Sequence, residues 1–210
     1  MKKLSVVFCL AIIIFSFMDL ESKGTNFPYS IGPFITLKGG VNAADVPTGI
    51  MNGFSINGLP DFGVSGYIPF GDKSQFGIAA DLAYSTYAYD MKNTTGIEYV
   101  STTQISYFTL SPNIFIYGFT AGLNFGIPLS GTTKSSITEV DIKTEDLSIF
   151  VEFRVGGMIP LYYDDFGRVN LIIQLGYFLT EQSKEDYSFS YNFHPASGAI
   201  GVSYLFNLSD

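Results

Sequence analysis

The sequence predicts an all-β protein, an eight-stranded antiparallel up-and-down transmembrane β-barrel, and three observations carry that reading. First, segments with a period of two recur along the chain, one face apolar and the other small or amide-bearing. Second, only 14% of residues are charged, against roughly 25% in soluble domains, yet no segment after the leader reaches the ~18 apolar residues of a membrane helix. Third, the segments are joined by long and short connections in strict alternation.

Residues 169–180 show the first observation most clearly. Val169, Leu171, Ile173, Leu175, Tyr177 and Leu179 share one face, while Asn170, Gln174, Gly176 and Thr180 occupy the other with Ile172 and Phe178. A soluble sheet would place charges on its wet face. Small and amide side chains suit a crowded polar interior, with lipid on the apolar side.

Residues 1–22 read as a signal peptide and residues 23–210 as the barrel. Lys2 and Lys3 precede an apolar stretch from Leu4 to Met18, the layout of an export signal. No small-residue cleavage motif follows, so an uncleaved anchor is the alternative. Cys9, the only cysteine, lies inside the apolar stretch, which leaves the mature chain without a disulfide, a thiolate metal site or a cysteine nucleophile. No cofactor is expected. A net charge of −8 argues against nucleic acid, whose phosphates call for basic patches.

The strands follow in order. The first spans residues 29–42, with Ile31, Ile35, Leu37 and Val41 on the apolar face and Lys38 on the other. Residues 43–58, rich in Asn, Gly and Pro, read as a loop. The second strand, about 60–70, carries Phe62, Val64, Ile68 and Phe70 outward; Gly71, Asp72, Lys73 and Ser74 then make a tight turn. The third, about 75–90, has Phe76, Ile78, Leu82 and Tyr84 outward and Asp81 inward. After a polar connection at 91–100 comes the fourth, about 102–116, where Ile105 and Tyr107 fall out of phase with Phe108, Leu110 and Ile114 and suggest a bulge. Pro112 removes a ladder donor there. Tyr117 and Gly118 turn the chain into the fifth strand, with Phe119, Leu123, Phe125, Ile127 and Leu129 outward.

Residues 130–145 read as a long polar loop. The sixth strand, about 146–162, has Leu147, Ile149, Val151 and Phe153 outward and Glu152 and Arg154 inward. A turn at 163–168 leads to the seventh strand, already described. Residues 181–194 form the last long loop, and the eighth strand ends the chain with Ile200, Val202, Tyr204, Phe206 and Leu208 outward. Aromatics gather at both strand ends, Phe70, Phe76, Tyr117, Phe119, Tyr162, Tyr163, Phe166, Tyr204 and Phe206 at the short turns, and Tyr84, Tyr87, Tyr89, Tyr107, Tyr177, Tyr187, Phe189 and Tyr191 at the long loops. Two such belts are what membrane interfaces select.

Gly201, Tyr204 and Phe206 are similar to the terminal Gly-x-x-aromatic-x-aromatic signal read by the barrel-assembly machinery. With the strand layout, the chain resembles the small eight-stranded outer-membrane barrels of the OmpA/OmpX and PorT-like kind over about residues 29–208. The resemblance implies a bacterial outer-membrane location with both chain ends periplasmic, lipid as the surrounding partner, and a barrel making up the whole mature protein. It departs at Ala199, where the pattern prefers a polar residue, and in the continuation past Phe206.

An eight-stranded barrel has an interior just wide enough for side chains to fill, which excludes a wide pore. Lys38, Asp81, Glu152 and Arg154 are the charges placed in strand cores, all inward and at similar height. Two acids and two bases balance, as buried charges must. They read as an ion-pair plug, with an ion or proton path as the alternative. Small barrels of this kind also include enzymes acting on outer-membrane lipid, but His194 and Ser197, three apart in a strand, point to opposite faces. No catalytic residue and no metal ligand set is assigned. The loops at 132–146 and 181–193 offer a surface to an envelope or secretion partner. An exported soluble lipocalin-like binder, apolar inside, is the remaining alternative; it would need a hydrophilic exterior and usually carries a Trp that this chain lacks.

Overall fold

The computed structural model describes residues 27–44, 46, 48–70, 76–94, 100–135, 137–184 and 194–208. Ten strands are found among them: β1 (Ser30–Asn42), β2 (Ile50–Ile56), β3 (Asp61–Pro69), β4 (Phe76–Asn93), β5 (Val100–Ile116), β6 (Phe119–Ser135), β7 (Glu139–Ile142), β8 (Phe150–Tyr163), β9 (Gly167–Phe178) and β10 (Pro195–Asn207). All pairings are antiparallel. The ring runs β1, β3, β4, β5, β6, β8, β9 and β10, and β10 returns to β1 from Ser30↔Asn207 to Asn42↔Pro195. Eight staves therefore close without an edge, and a closed ring satisfies the backbone without water.

The outward faces are apolar. Ile35, Phe62, Leu82, Leu110, Phe125, Phe153 and Ile200 are each roughly half exposed, while Asp81, Ser111, Asn124, Glu152 and Asn170 on the alternate positions are buried. A soluble protein seldom leaves such a continuous apolar surface to water. This inverts the lipocalin arrangement, which is thereby set aside.

Short turns gather at one end with the described chain ends (the turn end); the long connections gather at the other (the loop end). At the turn end Tyr117 and Gly118 both take positive φ, 49° and 84°, the backbone twist of a two-residue hairpin. At 164–166 the Asp164 carboxylate accepts the amides of Phe166 and Gly167 at 3.0 and 2.9 Å. The turn read at 71–74, the leader, and Tyr187, Phe189 and Tyr191 lie outside the described residues.

Several expectations are corrected. The segment 43–58 is not all loop: β2 stands in line with β3 and pairs both β1 and β4, its Asn and Gly content having masked the alternation of Phe54 and Ile56. The segment 130–145 holds the end of β6 and the β6–β7 hairpin, because Thr and Ser serve a solvated ribbon as well as a loop. The bulge lies in β6, not β5. Ile105 and Tyr107 keep phase with inward Thr103 and Thr109, while Ser106 and Tyr107 face Ser130 and Pro128, leaving Leu129 as the extra residue. Leu147 is not outward; it precedes β8, bridges to Ser183 and is buried over the lumen. Tyr87, Tyr89 and Tyr107 are no outer belt, since each is buried inside the barrel. The turn-end belt does stand on the surface, with Phe70, Phe76, Tyr117, Tyr162, Tyr163, Phe166 and Phe206 exposed.

Candidate functional site: the lumen

Alternation along eight strands sends one set of side chains inward, and these stack in three layers. Nearest the turn end, Tyr67, Ala79, Phe115, Met158 and Leu205 form an apolar layer with Phe27, which precedes β1. Phe27, Tyr67 and Phe115 meet edge to face at centroid distances of 5.1 to 6.3 Å. The buried Arg168 guanidinium lies over the Phe27 and Tyr67 rings at 4.1 and 4.7 Å and donates to Ser30 Oγ at 3.4 Å. Desolvation strengthens such cation–π contacts.

The middle layer is polar. Glu152 is fully buried. Its Oε2 accepts from Tyr87 Oη, Asn124 Nδ2 and Arg154 Nε, each at 2.7 Å, and its Oε1 accepts from Ser197 Oγ at 2.8 Å. Arg154 also donates to Tyr87 Oη at 2.9 Å and Ser111 Oγ at 3.2 Å; Ser111 in turn donates to Asn124 Oδ1 at 2.6 Å. Beside this group Lys38 pairs with Asp61, donates to Ser85 Oγ, and sits 3.8 Å from the centre of the Tyr87 ring. Ser85 Oγ donates to Asp61 Oδ2 at 2.6 Å. Low local dielectric makes such satisfied networks strong and makes any vacancy in them expensive.

Above lies an aromatic layer of Tyr87, Ile105, Tyr107, Leu147, Phe150 and Phe178. Phe150 stands 4.3 Å from Phe178 and 4.6 Å from Tyr107, centre to centre. Tyr87 belongs to both layers, its ring among the aromatics and its hydroxyl on Glu152 and Arg154.

All four sequence-predicted charges are buried in the barrel, though they do not pair only with one another. Glu152 and Arg154 meet directly, whereas Lys38 pairs with Asp61 rather than Asp81. Asp81 instead accepts from Ser65 Oγ at 2.6 Å. Two lumen charges were missed. Asp61 falls inward by the same alternation that sends Phe62 and Val64 out, but it opens its strand and was passed over. Arg168, which the sequence pattern places in a turn, is the second residue of β9. Asp61 is the counter-ion of Lys38, while Arg168 lies apart from that pair, over Phe27 and Tyr67.

Asp61 and Asn57 also complete the wall. Residues 57–60 interrupt the stave made by β2 and β3, so Thr86 and Ala88 of β4 lose their strand partner there. Asn57 donates to the Thr86 carbonyl and accepts the Ala88 amide at 3.0 Å; Asp61 Oδ1 accepts the Thr86 amide at 2.8 Å. Side chains thus replace the missing ladder, as buried backbone groups require.

His194 and Ser197 do not form a pair. Ser197 is spent on Glu152, while His194 Nδ1 lies 3.4 Å from the Phe178 carbonyl and Nε2 3.9 Å from Glu181. In the closing strand, a Cβ at Gly201 would stand 2.0 Å from the Ile35 carbonyl oxygen, so the residue permits the close β1–β10 seam. Tyr204 and Phe206 meet edge to face at 4.7 Å at the turn end.

No family profile and no curated protein matches the sequence. Among solved structures, the chain is similar to the attachment invasion locus protein Ail of Yersinia pestis, solved with the heparin analogue sucrose octasulfate, at 11% identity over 86% of this chain and 100% of that one, TM-score 0.41. It is similar to the outer membrane protein AlkL in lipid bilayers at 11% identity, 90% and 95% coverage, TM-score 0.42. OprG of Pseudomonas aeruginosa matches at 10% identity, 87% and 100% coverage, TM-score 0.34. The closed eight-stave ring and its apolar exterior define the fold as a small membrane β-barrel, independently of these overlaps.

Proposed function

We propose that this protein is an integral outer-membrane barrel whose lumen is closed to free diffusion and whose role is structural or interactive. The stacked lumen carries the reading: an ion-pair network saturated at Glu152 lies between two aromatic layers, and the strands leave room for little else. The apolar exterior supports residence in lipid, and export by the leader supports the outer membrane. Both chain ends then lie on the periplasmic side, and Gly201, Tyr204 and Phe206 serve as the signal to the barrel-assembly machinery. The loop end, with the polar β6–β7 hairpin, faces outward to an envelope or secretion partner. Catalysis has no supporting geometry at His194 and Ser197.

Planar-bilayer recording before and after Glu152→Gln tests the closure. A plug predicts a silent wild type and intermittent leak in the variant, where Arg154 is left unbalanced. A steady wild-type conductance that Glu152→Gln alters would make the network a path instead.

A further inference from the structure

At the loop end, above the aromatic layer, the chain builds a cleft that the lumen network does not use. Two segments cross the mouth: Ser148 donates its amide to the Gln182 carbonyl at 2.9 Å, Lys184 donates to the Asp146 carbonyl at 3.0 Å, and Leu147 bridges to Ser183. Beneath and beside them opens a cleft walled by Tyr89, Met91, Ile105, Ile142 and Leu147, with serine and threonine side chains between them. Gln182 completes the wall, and its side chain is fully buried.

Gln182 is the unusual member. Among the described residues its side-chain amide has the Tyr107 hydroxyl for its one polar partner, and one hydroxyl cannot serve a group with two donors and an acceptor. Buried amides are ordinarily satisfied. A backbone bond fixes this residue at the cleft wall, so the side chain presents donor and acceptor from a prepared position. None of the described lining residues is charged, and an ionic ligand would be desolvated without a counter-ion.

We propose that this cleft binds a small neutral molecule with an apolar body and a single amide or hydroxyl head, the head on Gln182 and the body against Ile105, Ile142 and Leu147. A mostly apolar wall with a small number of placed polar groups is the arrangement of small-molecule sites in general. The site lies outside the ion-pair network and stands whether or not the lumen conducts.

The probe is hexanamide, titrated into the folded, isotope-labelled barrel in lipid nanodiscs and followed by amide chemical shifts. Hexanoate and hexylammonium are its charged counterparts. The expected result is saturable shifts confined to the neighbourhood of Thr103, Ile105 and Gln182, with hexanamide binding at least about tenfold tighter than either ion. Gln182→Leu keeps the shape and removes the head's partners, and weakens binding by about tenfold. Ser101→Phe, which fills the cleft from its rim, abolishes it and carries the test should Gln182→Leu not fold. Equal affinity in either folded variant, equal affinity for the ions, or unsaturable shifts spread over outward positions such as Leu110 and Ile200 would overturn the proposal.

Discussion

Glu152 shows at the residue scale what a closed barrel demands of its charges. Four donors surround one carboxylate with no exposure to solvent. Removing its charge leaves Arg154 buried and uncompensated, and breaking such a pair costs about 3–5 kcal/mol. Glu152→Gln is therefore expected to lower urea stability in lipid vesicles by about that amount. Asp81→Asn, where the carboxylate accepts from the Ser65 hydroxyl, should cost clearly less. Equal losses would mean that the network acts through bulk and not through charge. Gly126 gives a packing test. A Cβ there would stand 2.0 Å from the Phe150 ring, which its aromatic neighbours hold in place. Gly126→Ala should cost about 1–3 kcal/mol by overpacking, measured in the same unfolding assay. Alternation alone made Lys38, Asp81, Glu152 and Arg154 legible as lumen residues. Their pairing was not legible, because partners on different strands depend on register, which a single strand's pattern does not contain. Asp61 is the instructive miss, a residue on the right face whose position at a strand start hid it.

At the scale of elements, the broken second stave is the least regular part of the wall. Its continuity rests on Asn57 and Asp61 in place of backbone partners. Asn57→Ala orphans a carbonyl and an amide at Thr86 and Ala88, each worth about 1–3 kcal/mol when buried unpaired. Hydrogen exchange should show the Ala88 amide exposed in that variant and protected in the wild type; continued protection would show that something else closes the gap. Leu59→Ser, in the exposed interruption, should leave that protection unchanged. Most staves were readable because their outward residues are large and apolar. β2 and β7 were not: in β2 the alternation of Phe54 and Ile56 is short and set among Asn52 and Gly53, and β7 belongs to a solvated ribbon with no apolar face to read. Tyr87, Tyr89 and Tyr107 misled for a related reason. A tyrosine near a strand end suits an interface belt or a lumen cap equally well, and only the phase of its strand decides between them.

The whole molecule is an inverted solution to folding: a polar, ion-paired centre wrapped by an apolar skin. Fractionation should recover it with membranes, and recovery in a soluble periplasmic fraction without detergent would contradict that. The most direct test uses the chain's own lack of tryptophan. A single tryptophan placed at Leu110, at Ile200 or at buried Asn124 reports its surroundings without background. In vesicles of lipids brominated along the acyl chain, the account predicts strong quenching of the reporters at Leu110 and Ile200 and weak quenching at Asn124. Reporters at Leu110 and Ile200 that escape the brominated lipid and are quenched by aqueous iodide would contradict a barrel with lipid on its apolar face.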